Sequence, residues 1–350
     1  MDNSSQRKIL RVSPACEIPQ LAGEITAALV GDGPSLGFGE ITSEFAAHYA
    51  AVVIGTSGSS GSPKEVALTA TALISSARAS NKFINAKPGE TWSLLLPLTH
   101  IAAVNVIIRA IELGTLPIDL RNHEGEYPKA NYTSIVPTQL FRALNGDVRL
   151  LSHLKSAKTV LVGGAALSQS LRNQAELAGI KVVTTYGMTE TCGGCVYDGE
   201  VLDGVQVEIR NGKIAIRGPI LASSVSLDAG WYETSDLGEF KNDKLIVLGR
   251  ADDVIISGGE NLSLNAVEAS LSAAFVDVEF AAFSIEDPQW GDSLQIAVVG
   301  TVSDEELVAR LESDLGSFAK PKGIHRLTSL PLLGIGKVDR KSLAKGVAHE

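Results

Sequence analysis

The chain has 350 residues, of which 45% are hydrophobic and 20% charged, a composition that folds and supplies cores for two or three domains. Its 30 basic and 40 acidic side chains give a net charge of −10. That balance argues against non-specific binding to nucleic acid or to an anionic membrane, because phosphate attraction needs a basic face. An anionic substrate must instead meet a few well-placed cations.

The opening "MDNSSQRKILRV" lacks the apolar core of a signal peptide. No uninterrupted apolar run approaches the roughly 18 residues that a membrane span needs. Three cysteines, an odd number, suit a reducing compartment. A cytoplasmic protein without a membrane span is therefore expected. Cys192 and Cys195 form a CxxC pair, but zinc takes about four ligands and no second pair exists. His123 and His153 stand alone. The pair is expected to be two small residues lining a tight loop.

From residue 50 the chain alternates between short apolar runs and amphipathic stretches. "AVVIG" (51–55), "WSLLLP" (92–97), "TSIVP" (133–137), "KTVLVGG" (158–164) and "KVVTTYG" (181–187) are short, rich in branched residues and bounded by Gly or Pro, which predicts buried strands. Between them "TATALISSARASNKFI", "HIAAVNVIIRAIEL", "PTQLFRAL" and "SQSLRNQAELA" carry helical spacing. This alternation predicts a covered, mostly parallel α/β sheet with ligands beyond the carboxyl ends of its strands. After residue 200 the pattern changes. Asn211-Gly212 and Asn242-Asp243 each split a pair of alternating runs, predicting two hairpins in a small antiparallel subdomain over about 200–248. From 251 to the end, a compact α+β unit follows the stretch "GRADDVIISGGEN".

The stretch "GTSGSSGSPKEV" (55–66) invites two readings. Ser/Gly tracts serve as linkers. Yet glycines permit positive φ, successive N–H groups can cradle an anion, and hydroxyls with Lys64 add donors. A helix starting near Thr69 would add its N-terminal dipole. The frame is neither GxxxxGK[ST] nor GxGxxG. Downstream, Thr189 and Glu190 in "TTYGMTETCGG" put a hydroxyl beside a carboxylate, suited to phosphate and to Mg²⁺, which takes oxygen ligands. Asp236 in "WYETSDLGEF" suits paired ribose hydroxyls, "LGRADDV" offers Arg250 and Asp252, and "GIGKVDR" brackets Lys337 with glycine. Each of these, taken singly, is also what a solvated turn, an ion pair or a helix cap looks like. Arg109 sits in the otherwise apolar "IAAVNVIIRAIEL". It must reach water, pair with Glu112 at i+3, or meet an anion.

Together, "TSGSSGSPK" (56–64), "PLTH" (97–100), "LVGGA" (161–165), "YGMTE" (186–190), "SD" (235–236), "GRADDVIISGGEN" (249–261) and "GKVDR" (336–340) resemble the adenylate-forming family of acyl-CoA synthetases, peptide-synthetase adenylation domains and luciferases. The likeness runs over roughly residues 50 to 345. Within that family, "VPTQLFRAL", "YGMTETCGGCVYDG" and "GRADDVIISGGEN" are most similar to the o-succinylbenzoate–CoA ligase branch of menaquinone synthesis, in a short form. The resemblance implies an N-terminal AMP-binding domain over 1–250 and a small mobile α+β lid over 251–350, with a hinge at Asp252. It implies ATP, Mg²⁺ and coenzyme A as partners of a small carboxylate, and leaves self-association open. Thr56, Ser57, Gly58, Ser59, Ser60, Gly61 and Lys64 would hold the β- and γ-phosphates, Thr189 the α-phosphate and Glu190 the magnesium. Asp236 and Arg250 would hold the ribose, with Tyr186, Gly187 and Gly164 beside the adenine. Lys337 would bridge the carboxylate and the α-phosphate, His100 would gate the acyl pocket, and Arg109 with Ser134 would meet a second substrate carboxylate. Another aryl- or acyl-CoA ligase, or a carrier-loading adenylation enzyme, is the alternative within the family. Three departures stand out: a short N-terminal region, Glu65 where glycine is usual, and Leu264 where proline is usual.

Overall fold

The computed structural model describes residues 6–57, 63–257, 260–275, 278–287, 291–332 and 338–347. It is a mixed α/β structure of several sheets. The chain opens with β1 (Gln6–Arg11), α1 (Ile18–Val30), β2 (Ser35–Phe38), β3 (Phe45–Ala47), β4 (Ala50–Ser57) and β5 (Pro63–Thr69). These strands form one sheet in the order β3-β1-β2-β4-β5. Its three inner strands are parallel, and each outer strand is antiparallel to its neighbour.

A second sheet follows from α2 (Ala70–Phe83), β6 (Trp92–Leu94), α3 (Ile101–Glu112), β7 (Ile118–Asp119), β8 (Tyr132–Ile135), α4 (Pro137–Leu144), α5 (Val148–Ser156), β9 (Thr159–Val162), α6 (Gln169–Leu177), β10 (Val182–Met188), β11 (Gly193–Tyr197) and β12 (Glu200–Val201). Its order is β12-β11-β10-β9-β8-β6-β7, parallel from β10 to β7. Four of the five short, branched strands predicted from the sequence fall here, the first (51–55) being part of β4 in the first sheet, and the four helical stretches between residues 69 and 178 fold as helices.

Both faces of the second sheet are covered, as a parallel sheet requires. Helices α1, α2 and α3 share one core with Leu36, Phe38, Val52 and Ile54 of the first sheet and Trp92, Leu94, Tyr132 and Leu161 of the second. On the far face, Leu140, Leu150, Leu154 and Ala175 of α4–α6 cover Ile135, Val160 and Val162. The middle layer explains the composition of α3. Ile101 and all residues from 103 to 110 are buried, so the helix is apolar on every side. Asn105 and Arg109 are its two buried polar exceptions.

Strands β13 (Gln206–Arg210), β14 (Lys213–Arg217), β15 (Tyr232–Lys241) and β16 (Lys244–Arg250) form an antiparallel sheet. Its two hairpins turn where the sequence predicts, with positive φ at Asn211 and Gly212 and at Asn242 and Asp243. The remainder comprises β17 (Val254–Ser257), β18 (Glu260–Ser263), α7 (Leu264–Ala274), β19 (Glu279–Asp287), β20 (Gly291–Val299), α8 (Asp304–Leu315), β21 (Gly323–Arg326) and α9 (Arg340–Val347). These elements pack on cores of their own, drawn entirely from residues after 254. Leu264 is the first residue of α7, capped by Ser263, whose side chain accepts from the Ala266 amide. Proline is favoured at that position because its N–H is unused, so leucine fits without a lost bond. Among the described residues no helix is long and apolar enough to cross a membrane.

The helix starts near Thr69 as expected, but one expectation about it is corrected: its dipole does not reach the Ser/Gly stretch, because β5 intervenes, pairing antiparallel with β4 from Ser57↔Pro63 to Ala50↔Thr69. The α2 N-terminus, capped by Thr69, lies at the opposite end of that strand.

Candidate active site

The carboxyl ends of the parallel strands form a crest. Register brings Leu94, Ser134, Leu161 and Val183 side by side across β6, β8, β9 and β10, which is where open α/β sheets bind ligands. Gly164 follows β9 with a positive φ of 84°. Tyr186, Gly187 and Thr189 follow on β10 and the 3₁₀ turn Thr189–Thr191. Gly187 sits at a bulge where a Cβ would lie 2.0 Å from the Gly193 carbonyl oxygen. Only glycine lets β10 and β11 approach this closely.

Lys64 reaches the same corner from the first sheet. Its Nζ lies 3.2 Å from Glu190 Oε1, with the Glu190 side chain largely buried. The hairpin and the threonine–glutamate turn thus converge although 126 residues separate them. The Glu190 backbone is held by the Ala222 amide, which donates to its carbonyl at 2.8 Å. Thr56 Oγ1 donates to the Lys64 carbonyl at 3.0 Å. Residues 58–61, named above as phosphate contacts, lie outside the described residues; Ser57 ends β4.

On the other side of the corner, the Tyr186 hydroxyl donates to Asp236 Oδ2 at 2.7 Å. Burial first, then the Asp236 charge and this hydrogen bond, hold the phenol far above its usual range. Asp236 on β15 faces Arg250 on β16. Arg250 itself pairs with Asp252, Nη2 to Oδ2 at 2.6 Å, so the guanidinium expected at a ribose is here tied to the residue expected to be the hinge. Tyr232, four residues before Asp236, was not singled out by the sequence. Burial and the charges of Glu190 and Asp236 raise its phenol to about 12, which marks it as facing the same corner.

Arg109 is 4% exposed, so it does not reach water. Glu112 does not meet it either, since that carboxylate pairs with Arg78 on α2 at 2.5 Å. Instead Nη2 donates to the Tyr197 hydroxyl at 3.0 Å and Nη1 to Ser134 Oγ at 3.4 Å. The cation lies over the Trp92 ring, 5.2 Å from its centroid. Among the described residues no carboxylate pairs with it and its Nε has no partner. A buried guanidinium surrounded by neutral groups costs several kcal/mol of desolvation, a rough figure, unless an anion arrives. Reach to water and pairing with Glu112 are thus both contradicted for Arg109, which lies among neutral groups.

His100 occupies the N-cap of α3 without a side-chain cap bond. Cys192 and Cys195 are free and buried; burial pushes both thiols up, Cys195 to about 12, and Cys192 takes the left-handed conformation of a tight turn. Lys337 lies outside the described residues. Of the described residues on either side, Leu332 bridges Val338, and Arg340 bonds Glu268 Oε1 at 2.9 Å and the Ala282 carbonyl at 2.8 Å.

The sequence pattern that defines AMP-binding enzymes matches residues 15–221. The chain belongs to that family. It is 38% identical to the probable 2-succinylbenzoate–CoA ligase of Mycobacterium tuberculosis over 331 residues, covering 86% of this chain and 85% of that protein. It is 30% identical to the 2-succinylbenzoate–CoA ligase of Escherichia coli, over 84% of this chain and 68% of that protein. A variant of MenE from Escherichia coli with bound OSB-AMS aligns with a TM-score of 0.76 and 25% identity, over 98% of this chain and 82% of that one. At the crest Lys64 pairs with Glu190 and Tyr186 bonds Asp236.

Glu65, where the family usually has glycine, has a structural task. Its Oε1 accepts from the Thr42 amide and hydroxyl and from the Ser43 amide at 2.7–3.0 Å. Burial pushes this carboxyl up, but the bonds from Ser43 and Thr42 outweigh it and hold it at about 2, below its ordinary 4.5. A depressed carboxyl stabilises above its unfolded value and loses that contribution as pH falls towards the folded one. Glu65→Gln is therefore expected to cost about 1 kcal/mol near neutral pH, discounted for solvent exposure. The gap in melting temperature from the parent should close as pH falls below about 4.5. A gap that stays constant with pH would remove the charge from the explanation.

Proposed function

We propose that the chain is an AMP-forming ligase that joins o-succinylbenzoate to coenzyme A through an acyl-adenylate, a step of menaquinone biosynthesis. The observation that carries the substrate reading is Arg109: a buried cation with no acidic partner among the described residues, beside Ser134 at the crest. o-Succinylbenzoate has two carboxylates, so one can be activated while the other neutralises that arginine.

In the first half-reaction a carboxylate oxygen attacks the α-phosphorus of ATP and pyrophosphate leaves. Two anions must approach, so cations aimed at the transferring group lower the barrier most. Lys64 and residues 56–61 hold the β- and γ-phosphates, Thr189 the α-phosphate, and Asp236 with Arg250 the ribose. Tyr186, Gly187 and Gly164 flank the adenine, and Lys337 bridges the two reacting groups. The Glu190 carboxylate fits magnesium, a hard cation that takes a carboxylate or two and completes its shell with phosphate oxygens and water. Such an ion, when bound, neutralises phosphate charge. Among the described residues no cluster of His, Cys, Asp and Glu forms a metal cage, and this mode of binding needs none.

In the second half-reaction the thiol of coenzyme A attacks the acyl carbonyl carbon and AMP leaves. Lys337 has to withdraw for the thiol to enter. Residues 1–250 act as the AMP-binding domain and 251–350 as a lid that turns about Asp252, while His100 gates the acyl pocket. Arg250 and Asp252, in contact across this boundary, are suited to latch one orientation. Asp252→Pro fixes φ near −65° and removes that latch. The expected result is that one half-reaction keeps its rate while the other drops at least about ten-fold, measured as ATP–pyrophosphate exchange and as thioester formation from preformed adenylate. Two unchanged rates would refute the hinge.

The substrate assignment is tested by ATP–pyrophosphate exchange over a panel of acids. Exchange should be supported best by o-succinylbenzoate and poorly by analogues with a single carboxylate. A monocarboxylic acid that outperforms it would replace this reading with that of another acyl- or aryl-CoA ligase.

A further inference from the structure

Arg109 is aimed by groups that lie far from it in sequence. Tyr197, at the end of β11, is fully buried. Its hydroxyl is, among the described residues, the one close hydrogen-bond partner of the Arg109 guanidinium, at 3.0 Å; the bond to Ser134 is longer, at 3.4 Å. The same hydroxyl lies 2.8 Å from Ser80 Oγ on α2. A guanidinium only donates, so the phenolic oxygen accepts from Arg109 and its own proton is free to go to Ser80. The phenol ring is fixed by edge-to-face packing on Phe83, centroids 5.2 Å apart. From the other side, Asn81 Nδ2 donates to the Arg109 carbonyl at 3.0 Å, tying α2 to α3 at this turn.

The arrangement orders the charge without neutralising it. A carboxylate at the place of Tyr197 would satisfy the cation and compete with substrate. A phenol fixes the cation's direction and leaves its charge for a ligand. The geometry points to Tyr197 and Ser80 as positioning residues that hold the Arg109 guanidinium ready for the substrate's second carboxylate, and so favour a dicarboxylate over a monocarboxylate. This inference rests on the ligase reading above.

Tyr197→Phe removes the hydroxyl and keeps the ring. Pyrophosphate exchange by the full chain should then show KM for o-succinylbenzoate raised about ten-fold, the scale of one hydrogen bond to a charged group. KM for ATP and kcat/KM for a single-carboxylate analogue should be unchanged. Ser80→Ala should move KM for o-succinylbenzoate the same way by about three-fold, since it only orients the phenol, and it covers the case of a poorly folded Tyr197→Phe. Equal losses on both acids would mean a merely structural role and would overturn the proposal. So would variants that match the parent on o-succinylbenzoate. A parent protein that does not respond to o-succinylbenzoate would overturn the ligase reading, and this proposal with it.

Discussion

Lys337→Ala should lower adenylation of o-succinylbenzoate by about 10²–10³-fold, the scale for losing one preorganised charge at a developing anion. Thioester formation from preformed adenylate should survive largely intact. The asymmetry follows from the charges. Carboxylate and α-phosphate repel until a cation lies between them, whereas a thiol attacking a carbonyl carbon faces no such pair. Single-turnover measurement of each half-reaction distinguishes the outcomes. Equal loss in both would assign Lys337 to the fold or to a step common to the two.

Arg109→Ala is expected to raise KM for o-succinylbenzoate by about 30- to 1000-fold, the range for truncating one partner of a buried charge pair. KM for ATP should stay within about two-fold. A second consequence concerns stability. Without substrate the guanidinium is buried with no carboxylate partner among the described residues, so Arg109→Met should raise the melting temperature of the ligand-free protein by about 2–4 °C while abolishing selectivity for the dicarboxylate. Binding of o-succinylbenzoate should stabilise the parent and leave the methionine variant unmoved. A destabilised methionine variant would mean that the Tyr197 and Ser134 bonds outweigh the desolvation cost.

The elements legible in the sequence are those whose local pattern and tertiary burial agree. Strand β9 reads as an apolar run, and β8, buried along its whole length though it carries Thr133 and Ser134, is marked by its β-branched residues and the proline that follows. The two hairpins turn on residues that tolerate positive φ. Before residue 50 the pattern fails because β1 has a single inward residue, Ile9, and β2 is only four residues long. Strand β5 was hidden by its neighbour: "KEVALT" follows a Ser/Gly stretch and runs into α2 without a break.

The site was legible where chemistry sits in contiguous motifs, and less so where a partner is supplied by the fold. Lys64 and Glu190 could be named separately, but their contact is a tertiary fact. Arg109 stood out as a charge in an apolar helix. That Glu112 turns to Arg78 depends on how α2 packs on α3, which one helix's spacing does not reveal. Tyr197, Ser80 and Tyr232 carry no local signal: each is an ordinary residue until the second sheet, the middle helices and the β15 strand bring it to the crest.

If the crest and the buried arginine act together on one dicarboxylic acid, the products of a complete reaction will show it. The chain is incubated with o-succinylbenzoate, ATP, magnesium and coenzyme A, and the products are read by mass spectrometry. o-Succinylbenzoyl-CoA and AMP should form in equal amounts, with neither formed by Lys64→Ala and Glu190→Gln combined. ATP consumption that yields ADP, or a thioester formed equally well from acids without a second carboxylate, would rule this mechanism out.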